Sequence, residues 1–181
     1  MNMPIIYGFA FATLSIFSMQ TYAAQWNLDG SKSNVGFTTQ GTGGTKANFN
    51  KVQGNAVFDP KNIQNTKINL EINASSLSAG IKTPLYKGSN GLNVSKYPKL
   101  TFKSTAITAL SGNRYKMDGL LTMHGITKPT TWTLNINPEG DALTMTASTQ
   151  IDRTQWGMTH FENLIDETIT LNAKTKFVKV Q

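Results

Sequence analysis

From Lys67 to Ala74 the side chains alternate without a break, with Ile68, Leu70, Ile72 and Ala74 set against Lys67, Asn69, Glu71 and Asn73. An extended chain turns successive side chains to opposite faces, so a period of two specifies a strand with one apolar face and one wet face. The same period governs most of the chain. It starts at Val35 and Phe37 and returns at Val52, Gly54, Ala56 and Phe58. Further runs pass through Leu100, Phe102 and Ser104, through Tyr115, Met117, Gly119, Leu121 and Met123, and through Trp132, Leu134 and Ile136. The last two hold Leu143, Met145, Ala147, Thr149 and Ile151, then Ile169, Leu171, Ala173, Thr175 and Phe177. Beyond Phe177 the parity changes at Val178 and Val180, as at a bulge or a strand end.

The connections decide how eight such strands are arranged. Asp59-Pro60, Ser111-Gly112-Asn113 and Pro138-Glu139-Gly140-Asp141 are turn sequences, and short turns join antiparallel neighbours. Two connections are long, residues 75–99 and 152–167. The first contains Pro84, Gly80, Gly88 and Gly91, which leaves room for one or two helical turns. Loops of this length in a compact domain cover an opening or carry function. The expected fold is all-β. Periodicity by itself leaves open a closed barrel and a pair of packed sheets. An eight-stranded barrel is just wide enough to be filled by its own side chains or to hold one elongated ligand.

The first 24 residues contain no Asp, Glu, Lys or Arg, and from Pro4 to Met19 they are rich in Ile, Phe, Ala and Leu. With Thr21 and Ala23 at the small-residue positions, residues 1–23 read as a secretory signal peptide cleaved after Ala23. No linker or repeat divides the remainder, so residues 24–181 form one domain with no stable membrane span after cleavage. The expected location is the periplasm or the exterior. The absence of cysteine excludes a disulfide scaffold, a thiolate metal site and a cysteine nucleophile.

Ionisable groups concentrate at the second long loop, in Asp152, Arg153, His160, Glu162, Asp166 and Glu167. Adjacent Asp166 and Glu167 point to opposite faces if extended, which disfavours an acid/base pair. Arg153 follows directly on a strand and stands where a barrel mouth would be. There it either binds a ligand's polar group or pairs with a nearby carboxylate to pin the loop. His124 lies in a tight turn before Gly125, and two histidines do not make a metal site, so no metal is expected. Gly41-Thr42-Gly43-Gly44 lacks the lysine of a phosphate loop and reads as a flexible hairpin tip. The net charge of +7 comes from scattered lysines, without the clusters a nucleic acid would require.

The apolar parity is the richer signal. Phe37, Phe58, Ile68, Leu70, Ile72, Phe102 and Tyr115 are candidates for the inward face. So are Met117, Trp132, Leu134, Met145, Leu171 and Phe177, with Trp156 from the second long loop. These residues suit either a filled core or a long flexible hydrocarbon, which methionine and aromatic rings accommodate without demanding one shape.

Four segments, taken in order, resemble the YceI-like, lipocalin-like polyisoprenoid-binding proteins of bacterial envelopes. They are Trp26-Asn27-Leu28-Asp29 with Ser33-Asn34-Val35-Gly36-Phe37; Tyr97-Pro98-Lys99-Leu100-Thr101-Phe102; residues 115–128; and Ile151-Asp152-Arg153-Thr154-Gln155-Trp156-Gly157-Met158. The resemblance implies an extended eight-stranded antiparallel barrel whose apolar pore holds an isoprenoid or similar amphiphilic lipid, and it brings no catalytic residues and no cofactor beyond that lipid. Arg153 and Lys82 are then the candidates for the polar head. Two departures from the family pattern bear on the head group: Lys32 stands where the family has histidine, and Lys82-Thr83-Pro84-Leu85-Tyr86 replaces an Arg-Asp-x-His-Leu stretch.

The expected function is therefore that of an exported, non-catalytic carrier or store for a long-chain lipid, linked to isoprenoid-quinone metabolism or envelope stress. A homodimer through an edge or a flat apolar patch is compatible with the sequence. The rival readings are a solid-core envelope module acting through its basic surface and a hydrolase using Glu162 or Asp166.

Overall fold

The computed structural model describes residues 23–181, so the expected signal segment lies outside the described residues apart from Ala23. Eleven strand segments are present. The first six are β1 (Ala24–Leu28), β2 (Asn34–Thr39), β3 (Lys46–Phe49), β4 (Val52–Phe58), β5 (Lys67–Asn73) and β6 (Leu77–Ser78). The longer ones follow: β7 (Lys99–Ala109), β8 (Arg114–Met123), β9 (Ile126–Glu139), β10 (Ala142–Asp152) and β11 (Thr168–Lys179). All pairings between them are antiparallel, and β1 pairs with β11 to close the ring.

The eleven segments make eight staves. β1 and β2 both lie along β11, at Trp26 to Leu28 and Asn34 to Thr39, and so form one strand bent at the turn Gly30–Lys32. The bend stays on the ladder because the Asp29 N–H donates to the Lys176 carbonyl at 2.8 Å and the Lys176 N–H donates to Ser33 Oγ at 3.0 Å. β3 with β4 and β5 with β6 are broken in the same way, since β4 pairs with β1 and β5 while β3 pairs with β2 and β6. From β7 onward each stave is continuous. The sequence expectation of eight strands in an all-β barrel is met, and the half-staves β1, β3 and β6 are what periodicity did not reveal.

The inward parity is the expected one. In β5, Ile68 and Ile72 are buried while Lys67 and Asn73 are exposed. A bulge on β7 between Ser104 and Ala106 shifts register opposite Gly119. A Cβ on Gly119 would stand 2.4 Å from the Phe102 ring, so glycine is what lets that ring lie flat on β8. Phe102 then meets Trp132 edge-on, with ring centroids 5.5 Å apart.

The two ends differ. At one end β4–β5, β7–β8 and β9–β10 join through short connections, with Gly112 and Gly140 at positive φ. At the other end lie residues 40–45, 79–98 and 153–167. The second of these holds α1 (Thr83–Lys87), the one α-helix among the described residues, whose start is set by Pro84. Among the described residues no helix is long and apolar enough to cross a membrane.

A candidate ligand cavity at the loop end of the barrel

The barrel is not filled by its own side chains. A narrow space of about 110 Å³ runs inward from the loop end. Of the fourteen residues expected to face a pore, ten line it. Phe37, Ile68, Leu70, Ile72 and Phe102 form one side, and Met117, Trp132, Leu134, Met145 and Leu171 form the other.

Four do not line it, three of them because of depth. Phe58 and Phe177 are inward and buried, but they belong to the short-turn end with Leu143, Ile136 and Ile107, where side chains meet and plug the barrel. Thr175 and Met145 lie against each other on neighbouring staves at the floor of the cavity, and the next inward pair on the same staves is Leu143 with Phe177. Tyr115 lies at the same plugged end, half-buried and opposite Leu134. Trp156 is buried elsewhere, in the turn Arg153–Trp156, where its indole N–H donates to the Leu121 carbonyl at 3.3 Å.

The loops supply lining that the alternating pattern did not reveal: Tyr86 and Leu92 from the first, and Met158, Phe161 and Ile165 from the second. The only signal for these residues was the length of the loops. Tyr86 packs on Phe37 with centroids 5.4 Å apart, and its hydroxyl pairs with Thr39 Oγ1 at 2.8 Å and donates to the Gly43 carbonyl at 3.2 Å. Burial pushes the Tyr86 phenol above its ordinary pKa, with the Thr39 hydrogen bond and the Arg153 charge opposing that shift.

Arg153 is the one charged side chain inside this wall, at 5% exposure. Its Nε donates to the Asp166 carbonyl at 3.1 Å and its Nη2 to the Ile165 carbonyl at 2.9 Å. Nη1 donates to the carbonyls of Met158 and His160. Four of the five guanidinium N–H groups are thus taken by backbone of residues 158–166, leaving one on Nη2. The sequence offered loop-pinning through a carboxylate. The pinning is present, but carbonyls do it: among the described residues no ion pair includes Arg153. The result is a desolvated cation on an apolar cavity, offset by dipoles alone.

Lys82 does not reach the cavity. Its Nζ donates to the Gly44 carbonyl at 2.7 Å and ties the first long loop to the hairpin tip. That tip is not free either. The Gly43 N–H donates to the Leu164 carbonyl at 2.6 Å and the Asp166 N–H to the Gln40 carbonyl at 3.2 Å. A Cβ on Gly43 would stand 2.9 Å from the Leu164 oxygen, so glycine serves close approach there rather than mobility.

The remaining polar candidates are structural. Asp152 Oδ1 accepts from the Thr154 N–H at 2.8 Å and the Thr154 hydroxyl at 2.6 Å, chiefly the hydroxyl holding its carboxyl below the usual range. His124 adopts φ 52° in its turn, donates from Nδ1 to the Trp156 carbonyl at 3.0 Å and lies edge-on to Tyr97. Glu162 and Asp166 are exposed, and among the described residues no group of three or more His, Asp or Glu side chains is arranged to hold a metal.

A closed antiparallel barrel with an apolar cavity at its loop end defines a lipocalin-like binding-protein fold. The sequence narrows this further, because residues 26–177 match the YceI-like domain. The Protein YceI of Salmonella agona is 31% identical over 140 residues, covering 74% of this chain and 73% of that protein. The chain belongs to the YceI-like domain family. Among solved structures, BcnA of Burkholderia cenocepacia superposes with a TM-score of 0.78 at 22% identity, over 82% of this chain and 98% of that one. A YCEI protein of Campylobacter jejuni gives 0.65 at 19% identity, over 76% and 85%. At these identities the structural matches speak for the fold.

Proposed function

We propose that the protein is an exported, non-catalytic carrier or store that holds a long-chain isoprenoid or similar amphiphilic lipid in the barrel cavity, acting in the periplasm. The supporting observation is an apolar cavity at the loop end walled by Leu, Ile, Met and aromatic side chains. A hydrocarbon tail gains about 0.8 kcal/mol for each buried methylene, which offsets the cost of ordering a flexible chain.

The polar head belongs beside Arg153, where one N–H is unused and the buried charge has no anionic partner. An oxygen-bearing head, anionic or carbonyl, would complete the set. Lys82 uses one ammonium N–H on Gly44 and has two left, so it stays a second candidate at the rim for the polar head. No cofactor is required for holding a lipid.

Native mass spectrometry of protein purified without detergent tests the proposal. The expected result is one lipid per chain, released on denaturation and recovered by solvent extraction. Protein that carries no lipid and takes up no added polyprenol would overturn it.

A further inference from the structure

We propose that the loop tip centred on Ile81 is the point at which the protein rests on an anionic phospholipid bilayer. Ile81 is 97% exposed, more than any other large apolar side chain among the described residues. A single exposed aliphatic is ordinary and would carry nothing by itself. What distinguishes this one is that the chain is built to hold it out. The Ala79 N–H donates to Thr83 Oγ1 at 2.9 Å, and that hydroxyl donates to the Gly80 carbonyl at 2.7 Å. The Lys82 and Thr83 N–H groups close on the carbonyls of Ala79 and Gly80. Gly80 has φ +59° with nothing within 4 Å of where a Cβ would stand, so the tip projects into open space.

Directly behind the tip, the Lys82 bond to Gly44 and the Tyr86 pair with Thr39 anchor it to the barrel rim. Across residues 43–44 stands Leu164, 46% exposed, whose carbonyl accepts from Gly43. Two aliphatic side chains therefore flank one rigid piece of the mouth.

The charge of this region supplies the complement. From Ile72 to Phe102 there is no acidic residue, while Lys82, Lys87, Lys96 and Lys99, at the loop end, fall within it. Lys99 pairs with Glu71, whereas Lys87 and Lys96, on the same long loop as the tip, join no ion pair among the described residues. Glu162, Asp166 and Glu167 lie on the other long loop, with Asp166 against Gln40 and Gly41, so the side of the mouth that carries Ile81 is the basic one. An apolar tip beside unpaired lysines matches an interface of hydrocarbon behind anionic head groups, where each lysine near the surface raises affinity about fivefold. Because the tip stands at the mouth, a docked barrel opens toward the bilayer. That consequence rests on the lipid-binding reading; the docking does not.

The test is flotation of the purified protein with phosphatidylglycerol/phosphatidylethanolamine vesicles and with phosphatidylcholine vesicles. Every variant shares one N-terminus, so any contribution from residues 1–22 cancels in the ratios. The expected result is binding to the anionic vesicles that weakens in high salt. I81S should lower partitioning at least fivefold and K87Q with K96Q a further severalfold, while L110S, exposed at the plugged end, leaves it unchanged. I81W should show a blue-shifted emission increment over the native protein on anionic vesicles only. Equal losses in I81S and L110S, no preference for anionic vesicles, or no change in I81W emission would overturn the proposal. Native mass spectrometry of I81S separates the two readings: bound lipid retained with docking lost supports docking as a distinct property, and lipid absent from the native protein defeats the cargo reading without touching the docking result.

Discussion

The two ends of the barrel are built from the same alternating staves and finished in opposite ways. At the short-turn end Phe58, Ile107, Leu143 and Phe177 meet across the axis and leave nothing open. At the loop end the inward side chains stop short of one another, and three tied loops stand in for a core. One end obtains its stability from packing. The other depends on polar contacts to backbone, with Arg153 holding residues 158–166 and Tyr86 and Lys82 holding residues 40–45. A molecule that must admit a ligand keeps apolar surface uncovered, and a fixed set of hydrogen bonds is what can hold such a mouth in shape without filling it.

That contrast breaks first if packing is removed from the plug. Phe177→Ala should cost about 3–5 kcal/mol in urea unfolding and leave the loop contacts intact by hydrogen exchange. Arg153→Met comes next. It strands four carbonyls, those of Met158 and Ile165 buried, and should cost about 3 kcal/mol, with exchange rising in residues 158–166 and little change at the plug. If both variants loosen both ends equally, the ends are not separate structures.

A filling substitution sharpens the same contrast at smaller cost. Leu171→Trp, in the cavity wall, should change stability by less than about 1 kcal/mol and abolish lipid uptake. Leu143→Trp, in the plug, should cost about 1–3 kcal/mol through overpacking. Equal penalties would mean the cavity does not persist in solution.

The smallest effects are those of pH. Tyr86 has a raised pKa in the folded protein, so its contribution is complete below the unfolded value of about 10 and declines as pH rises from there toward the folded value. Tyr86→Phe should remove that alkaline decline and cost about 1 kcal/mol at neutral pH. Asp152 is the reverse case. Its lowered pKa adds stability above the usual carboxylate range that is lost as pH falls through the folded value, and Asp152→Asn should flatten the acid limb of the stability curve.

Much of this molecule was legible before folding. The alternation from Val35 to Phe177 located all eight staves, because a half-buried strand must repeat every second residue. The turn sequences gave antiparallel order, and the two long connections marked the end that stays open. The half-staves escaped because a bent strand of four or five residues is too short to show a period, as with Lys46-Ala47-Asn48-Phe49. Tyr86, Met158 and Ile165 escaped because loop residues obey no period at all.

Parity tells which side chains face inward, and that much the amino-acid sequence determined alone. It does not tell how far along the axis they lie. Phe58 and Phe177 share the inward parity of Phe37 and Leu171, yet only the closed ring, through the register of each stave on its neighbour, set two of them in the plug and two in the cavity wall. The same closure gave Arg153 carbonyls in place of a carboxylate, since its partners lie 5 to 13 residues away along a loop whose path is fixed only by packing on the rim.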